Sequence, residues 1–120
     1  MARLAPTADL QSFKADFFKA LAHPIRIRLL ELLRARERSV QELQAALGLD
    51  QSTVSQQLAV LRSKNVVGAR KEGTTVHYAV RDPLVGDLLD VARRIFNNQL
   101  TGTRTMLREL QREGRRPARR

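Results

Sequence analysis

Leu47-Gly48-Leu49-Asp50-Gln51-Ser52-Thr53-Val54-Ser55-Gln56-Gln57-Leu58 decides the fold of this chain. Just upstream, Ser39-Val40-Gln41-Glu42 reads as a capping box, Ser39 as N-cap and Glu42 reaching back to it. Val40, Leu43, Ala46 and Leu47 give a short helix its apolar stripe. Gly48 stops that helix, because a left-handed residue at a helix end is least costly as glycine. A second helix begins almost at once, with Asp50 as its N-cap and Val54, Leu58 and Leu61 as its buried face. Two short helices across a tight glycine turn make a helix-turn-helix.

Working outward, the period changes beyond Asn65 from helical to alternating. Val67 and Ala69, then Val76, Tyr78 and Val80, read as two strands joined around Glu72-Gly73. A hairpin directly after a helix-turn-helix is the layout of a winged helix. On the N-terminal side, Leu10, Phe13, Phe17 and Leu21 mark an amphipathic first helix, its apolar face widened by Phe18. His23-Pro24 punctuates the chain and suits a helix start. Ile25, Leu29, Leu32 and Leu33 form the apolar side of the second helix. Asp82-Pro83 opens a long last helix with two seams: Leu84, Leu88, Val91 and Ile95, and beside them Val85, Leu89, Ala92 and Phe96. Asn97-Asn98 and Gly102 predict a bend or break, after which Met106, Leu107 and Leu110 briefly resume the pattern. The expected fold is mainly α with a small β-hairpin: four helices, two strands and a fifth helix.

The chain has 120 residues, enough for one modest core. A single domain is expected over residues 9–112, between a flexible stretch 1–8 and a basic, disordered tail 113–120. No apolar run approaches the roughly 18 residues a membrane span needs. Met1 to Leu10 lacks the basic start and apolar stretch of a secretory signal, so a cytoplasmic location is expected. Cysteine is absent, which removes disulfides, thiolate metal sites and cysteine nucleophiles together. Carboxylate pairs sit only on helix surfaces, and neither a phosphate-cradling glycine loop nor a Ser-His-Asp arrangement occurs. The reading is therefore of a binding protein, not an enzyme.

The formal net charge is +10, from 22 Lys plus Arg against 12 Asp plus Glu. Such a balance suits a polyanion. Four arginines stand in the tail, serving either as solubilising charge or as an arm that touches DNA. A second cationic cluster runs from Arg62 to Arg81, whereas Gln51 to Leu61 carries no formal charge at all. Phosphates want Arg and Lys, whereas base edges can be read by neutral Gln, Ser and Thr. Gln51, Ser52, Thr53, Ser55, Gln56 and Gln57 are thus the candidate base readers, Gln51, Ser52, Ser55 and Gln56 turning outward by spacing. Arg70, Lys71 and Thr74 surround the wing tip as candidate phosphate contacts, and a solvated hairpin edge is the plain alternative. Arg62 and Lys64 fit phosphate contact and complementing the helix C-terminus equally well. His23 reads as a capping or core residue, and His77 as a strand residue opposite Val76 and Tyr78.

Phe18-Lys19-Ala20-Leu21-Ala22-His23-Pro24, with Ile25-Arg26-Ile27-Arg28-Leu29-Leu30 after it, resembles the opening signature of the ArsR/SmtB family. Leu47 to Leu58 resembles that family's DNA-reading block, and Leu61-Arg62-Ser63-Lys64-Asn65-Val66-Val67 its exit into the wing. The resemblance covers roughly residues 12–98 and implies a dimeric winged-helix repressor. Its metal ligands do not carry over. In the arsenic and cadmium branches the helix before the reading helix bears a cysteine pair, and Glu42 to Leu47 has none. In the zinc, cobalt and nickel branches the last helix supplies Asp and His; here Leu84 to Leu100 offers Asp87 and Asp90 without histidine. Gln56-Gln57 also replaces a pair that is often Arg-His or His-His, which implies a different operator sequence.

The reading is a homodimeric, sequence-specific binder of duplex DNA with an inverted-repeat operator, no cofactor and no membrane role. Dimerisation is expected through the first and last helices, at Phe13, Phe17, Leu84, Leu88, Val91 and Ile95. The signal would come from a separate sensor protein or a non-thiol effector. The rivals are a winged helix used to bind protein, a non-specific DNA binder, a cationic tail on a membrane surface and an intrinsic metal sensor built on His, Asp and Glu.

Overall fold

The computed structural model describes residues 5–114, with side chains from Asp9 onward. The elements are α1 (Ala5–Leu21), α2 (Pro24–Leu33), β1 (Arg38–Ser39), α3 (Val40–Leu47), α4 (Gln51–Ser63), β2 (Val67–Glu72), β3 (Thr75–Val80) and α5 (Leu84–Gly114). Of the tail expected over 113–120, Glu113 and Gly114 are the last residues of α5, and 115–120 lie outside the described residues.

Local chemistry sets most boundaries. His23 caps α2, its Nδ1 accepting from the Ile25 amide at 3.1 Å, and Pro24 follows in the first turn. The capping box of α3 is complete: the Glu42 amide donates to Ser39 Oγ at 3.1 Å, and the Ser39 amide donates to Glu42 Oε1 at 2.9 Å. Gly48 ends α3 at φ +68°, and Asp50 caps α4 by accepting from the Thr53 amide at 3.1 Å. Asn65 adopts φ +61° after α4, a conformation Asn tolerates better than most residues. Reversal there lets the Val66 amide donate to the Leu61 carbonyl and launches β2.

The structure adds to the expected layout in four places. A short strand, β1, joins the hairpin, giving a three-stranded antiparallel sheet in the order β1-β3-β2. Its pairings are Arg38 with Tyr78 and Ser39 with His77. At two residues it is too short to show alternation. Helix α1 starts at Ala5, inside the stretch 1–8 expected to be flexible. Helix α4 stops at Ser63, short of the expected Asn65, because Asn65 is left-handed. The expected break near Gly102 is absent, and α5 runs on as helix to Gly114. An interior glycine weakens a helix by about 1 kcal/mol, which does not end it when no proline or cap follows.

The chain divides into two compact units, one up to Gly86 and one from Asp87. The core of the first is Leu29, Leu30 and Leu33 from α2, Val40 and Leu43 from α3, Val54, Leu58 and Leu61 from α4, and Val66, Val67 and Val85. Helix α4 therefore lies on a floor shared by α2, α3 and the sheet. The second unit is the helical segment after Gly86, and it exposes Val91, Ile95, Phe96, Leu100, Met106, Leu107 and Leu110.

Candidate nucleic-acid interface

Helix α4 is locked from below and open above. Val54, Leu58 and Leu61 are fully buried, fixing the rotation of the helix about its axis. That rotation leaves Gln51, Ser52 and Gln56 exposed and Ser55 half-buried along the outer side. The Asp50 carboxyl is held below its ordinary range, chiefly by hydrogen bonding with Thr53. It is thus committed to the helix N-terminus, and Ser52 Oγ donates to its other oxygen at 3.5 Å. The remaining face is neutral and rich in amide and hydroxyl groups, the side-chain set that pairs with base edges in a major groove.

Two expected contact residues stand differently. Gln57 is half-buried, and its Oε1 accepts from Arg26 Nη1 at 2.8 Å. Arg70 is exposed but occupied: its Nη2 and Nε donate to the two carboxylate oxygens of Glu37 at 2.6 and 3.1 Å, and its Nη1 donates to Glu72 at 3.4 Å. Glu37 lowers the acidity of the Arg70 guanidinium, and the hydrogen bond from Arg70 in turn holds the Glu37 carboxyl below its ordinary range. His77 Nε2 lies 3.6 Å from Glu72 at the same edge. Lys71 and Thr74 remain exposed at the tip, where Gly73 turns at φ +63°. Arg62 and Lys64 are exposed at the exit of α4. Arg26 and Glu37 are the site-shaping residues that sequence reasoning missed, and local periodicity carries no signal for pairs so far apart.

A groove of about 470 Å³ opens between α1 and the exit of α4, lined by Phe13, Phe17, Phe18, Lys64 and Asn65 among others. Phe13 (73%), Leu84 (65%), Val91 (48%) and Ile95 (50%) are exposed, large apolar side chains with no cover in the single chain. Phe17 and Leu88 are half-buried. Among the described residues, no group of three or more His, Cys, Asp or Glu is placed to hold a metal ion, and no helix is long and apolar enough to cross a membrane.

Element order, sheet and reading helix together define a winged helix-turn-helix transcriptional regulator. Residues 23–68 match the family described as bacterial regulatory protein, arsR family. An HTH-type transcriptional regulator of Mycobacterium tuberculosis (strain ATCC 25618 / H37Rv), Rv0081, is 46% identical over 106 residues, covering 88% of this chain and 93% of that protein. Its crystal structure superposes with a TM-score of 0.73 at 48% identity, covering 78% of this chain and 95% of that one. A homodimeric winged helix-turn-helix DNA-binding domain from Mycobacterium bovis, described as a possible ArsR-family regulator, has a TM-score of 0.71 at 33% identity, covering 78% and 87%. The transcriptional repressor BigR from Xylella fastidiosa has a TM-score of 0.68 at 30% identity, covering 79% and 97%. The chain belongs to the arsR family of bacterial regulatory proteins, which are transcriptional regulators and not enzymes.

Proposed function

We propose that the chain represses transcription by binding, as a homodimer, an inverted-repeat operator in duplex DNA. The observation that carries this reading is the neutral face of Gln51, Ser52, Ser55 and Gln56, presented by a helix whose opposite side is fully buried. Base-edge recognition demands side chains held in one register, and the three buried anchors of α4 supply it. Lys71, Thr74, Arg62 and Lys64 stand at the flanks as phosphate contacts, with Arg70 joining them when it leaves Glu37. Thr53 and Gln57 serve as supports of the reading helix and not as its base readers. The apolar residues Phe13, Phe17, Leu84, Leu88, Val91 and Ile95 form the subunit contact, in keeping with the homodimeric relative. Two-fold symmetry places the reading helices about one helical turn of DNA apart.

Release from DNA follows either a separate sensor protein or a non-thiol effector. A small apolar or anionic effector suits the groove between α1 and the exit of α4, whose lining combines phenylalanines with Lys14 and Lys64. The test of DNA binding is a mobility shift of the full chain with duplex from upstream of its own gene, against a scrambled duplex of equal composition. Preference for the upstream duplex is expected. Equal affinity for both would replace this reading with non-specific binding, and no shift would favour a protein-binding winged helix.

A further inference from the structure

Arg26 lies on α2 and touches neither solvent-facing side of the DNA-reading helix, yet it joins two elements that matter to that helix. Its Nε donates to the Ala20 carbonyl at 2.7 Å, and its Nη2 donates to the Lys19 carbonyl at 3.2 Å. Both carbonyls belong to the last turn of α1, and that of Lys19 also accepts from the Ala22 amide at 3.1 Å. Its Nη1 donates to Gln57 Oε1, at mid-length of α4. One planar guanidinium thus spans the end of α1 and the centre of α4 with a fixed fork of donors, a job that a lysine ammonium on a flexible stem performs poorly.

We propose that Arg26 is a positioning residue of the recognition helix: it clamps the C-terminal turn of α1 to Gln57, and this polar tie stiffens, in the register that Val54, Leu58 and Leu61 set, the face at which Ser52, Ser55 and Gln56 meet base edges. The inference rests on the DNA-reading role proposed above and adds a cause for its precision. It also makes α1 mechanically continuous with the reading face. Motion of the α1 terminus moves Arg26, and Arg26 moves Gln57. A signal arriving at α1 therefore reaches the reading face without passing through the core leucines.

The experiment uses the full chain in five forms: wild type, Arg26→Lys, Arg26→Met, Gln57→Leu and Gln57→Glu. Fluorescence anisotropy measures affinity for the upstream duplex and for the scrambled duplex, and amide hydrogen exchange of the free proteins measures protection in α1 and α4. Arg26→Met and Gln57→Leu are expected to lose about tenfold or more in upstream-duplex affinity while scrambled-duplex affinity changes by less than about threefold. Gln57→Glu keeps the acceptor but adds a negative charge on the DNA-facing helix, so it is read by exchange alone, with α1 and α4 protection expected at the wild-type level, and Arg26→Lys falls between. In exchange, Arg26→Met lowers protection at the end of α1 and in α4 together. Unchanged preference in Arg26→Met, or equal loss on both duplexes, overturns the proposal. If the wild type itself shows no preference, the DNA-reading role fails, and exchange alone decides the clamp: loss confined to α1 overturns it, and joint loss in α1 and α4 upholds it.

Discussion

Arg70 on the wing holds Glu37, which precedes β1, through both carboxylate oxygens at 2.6 and 3.1 Å. A bidentate pair of this kind has a preferred geometry, so it orients the guanidinium even where solvent weakens its energy. The wing arginine is consequently held by an internal anion. Glu37→Gln removes the bidentate anion and leaves Arg70 the longer contact with Glu72 at 3.4 Å. We expect this variant to bind DNA more tightly at low salt and to show a steeper salt dependence, by about 0.9 in the log–log slope per added phosphate contact. Anisotropy titrations over a salt series read this directly, and an unchanged slope would mean that Arg70 makes the same number of phosphate contacts with and without Glu37.

Acid sensitivity follows from two carboxylates. Glu42 is lowered to about 2 from an ordinary value of 4.5, first by hydrogen bonding from Arg36 and then by the Ser39 amide of the capping box. Glu37 is lowered in the same direction by Arg70. A depressed folded-state pKa contributes stability that is present above the unfolded value and is lost as pH falls through the folded one. Thermal midpoints should therefore decline between about pH 4.5 and pH 2 for the Glu42 contribution. Glu42→Gln should flatten part of that decline by lowering the neutral-pH midpoint toward the acid one, since glutamine still accepts from the Ser39 amide but loses the charge that Arg36 stabilises.

Gln56 and Gln57 are neighbours with opposite surroundings, one exposed and one held by Arg26. Gln56→Ala should weaken operator binding by about 1–3 kcal/mol and leave scrambled-duplex binding nearly unchanged. Thermal stability should not move. Equal loss on both duplexes would remove Gln56 from the base readers.

Leu58 and Gly48 test two different sources of stability in the helix-turn-helix. Leu58 is fully buried, so Leu58→Ala should cost about 2–5 kcal/mol through lost burial and the cavity left behind. Around Gly48 an added Cβ would meet open space, and its φ of +68° is the only obstacle. Gly48→Ala should cost about 1–2 kcal/mol, all of it conformational. Urea unfolding at one fixed protein concentration compares the two.

The exposed apolar seam of α5 predicts self-association. Ile95→Glu places a charge where Ile95 is 50% exposed, so the isolated fold tolerates it, whereas a buried subunit contact does not. Sedimentation velocity should show a shift from dimer toward monomer with helicity retained. A variant that stays dimeric would move the contact elsewhere.

What the sequence determined by itself is the winged helix-turn-helix. Ser39, Glu42, Gly48 and Asp50 act within three or four residues of themselves, and the helical and alternating periods repeat over similarly short distances. Such signals need no knowledge of the rest of the chain. The outward face of Gln51, Ser52, Ser55 and Gln56 was legible for the same reason, since Val54, Leu58 and Leu61 dictate it by spacing. Tertiary structure alone decided three things. It gave the chain a third strand, turned Gln57 toward Arg26 across 31 residues, and bound Arg70 to Glu37 across 33. Each depends on packing that brings distant segments within hydrogen-bond reach, where geometry and desolvation select one partner from several with the same charge. Composition marks Arg70 and Gln57 as polar groups able to meet DNA; only the folded chain shows that each already has a partner.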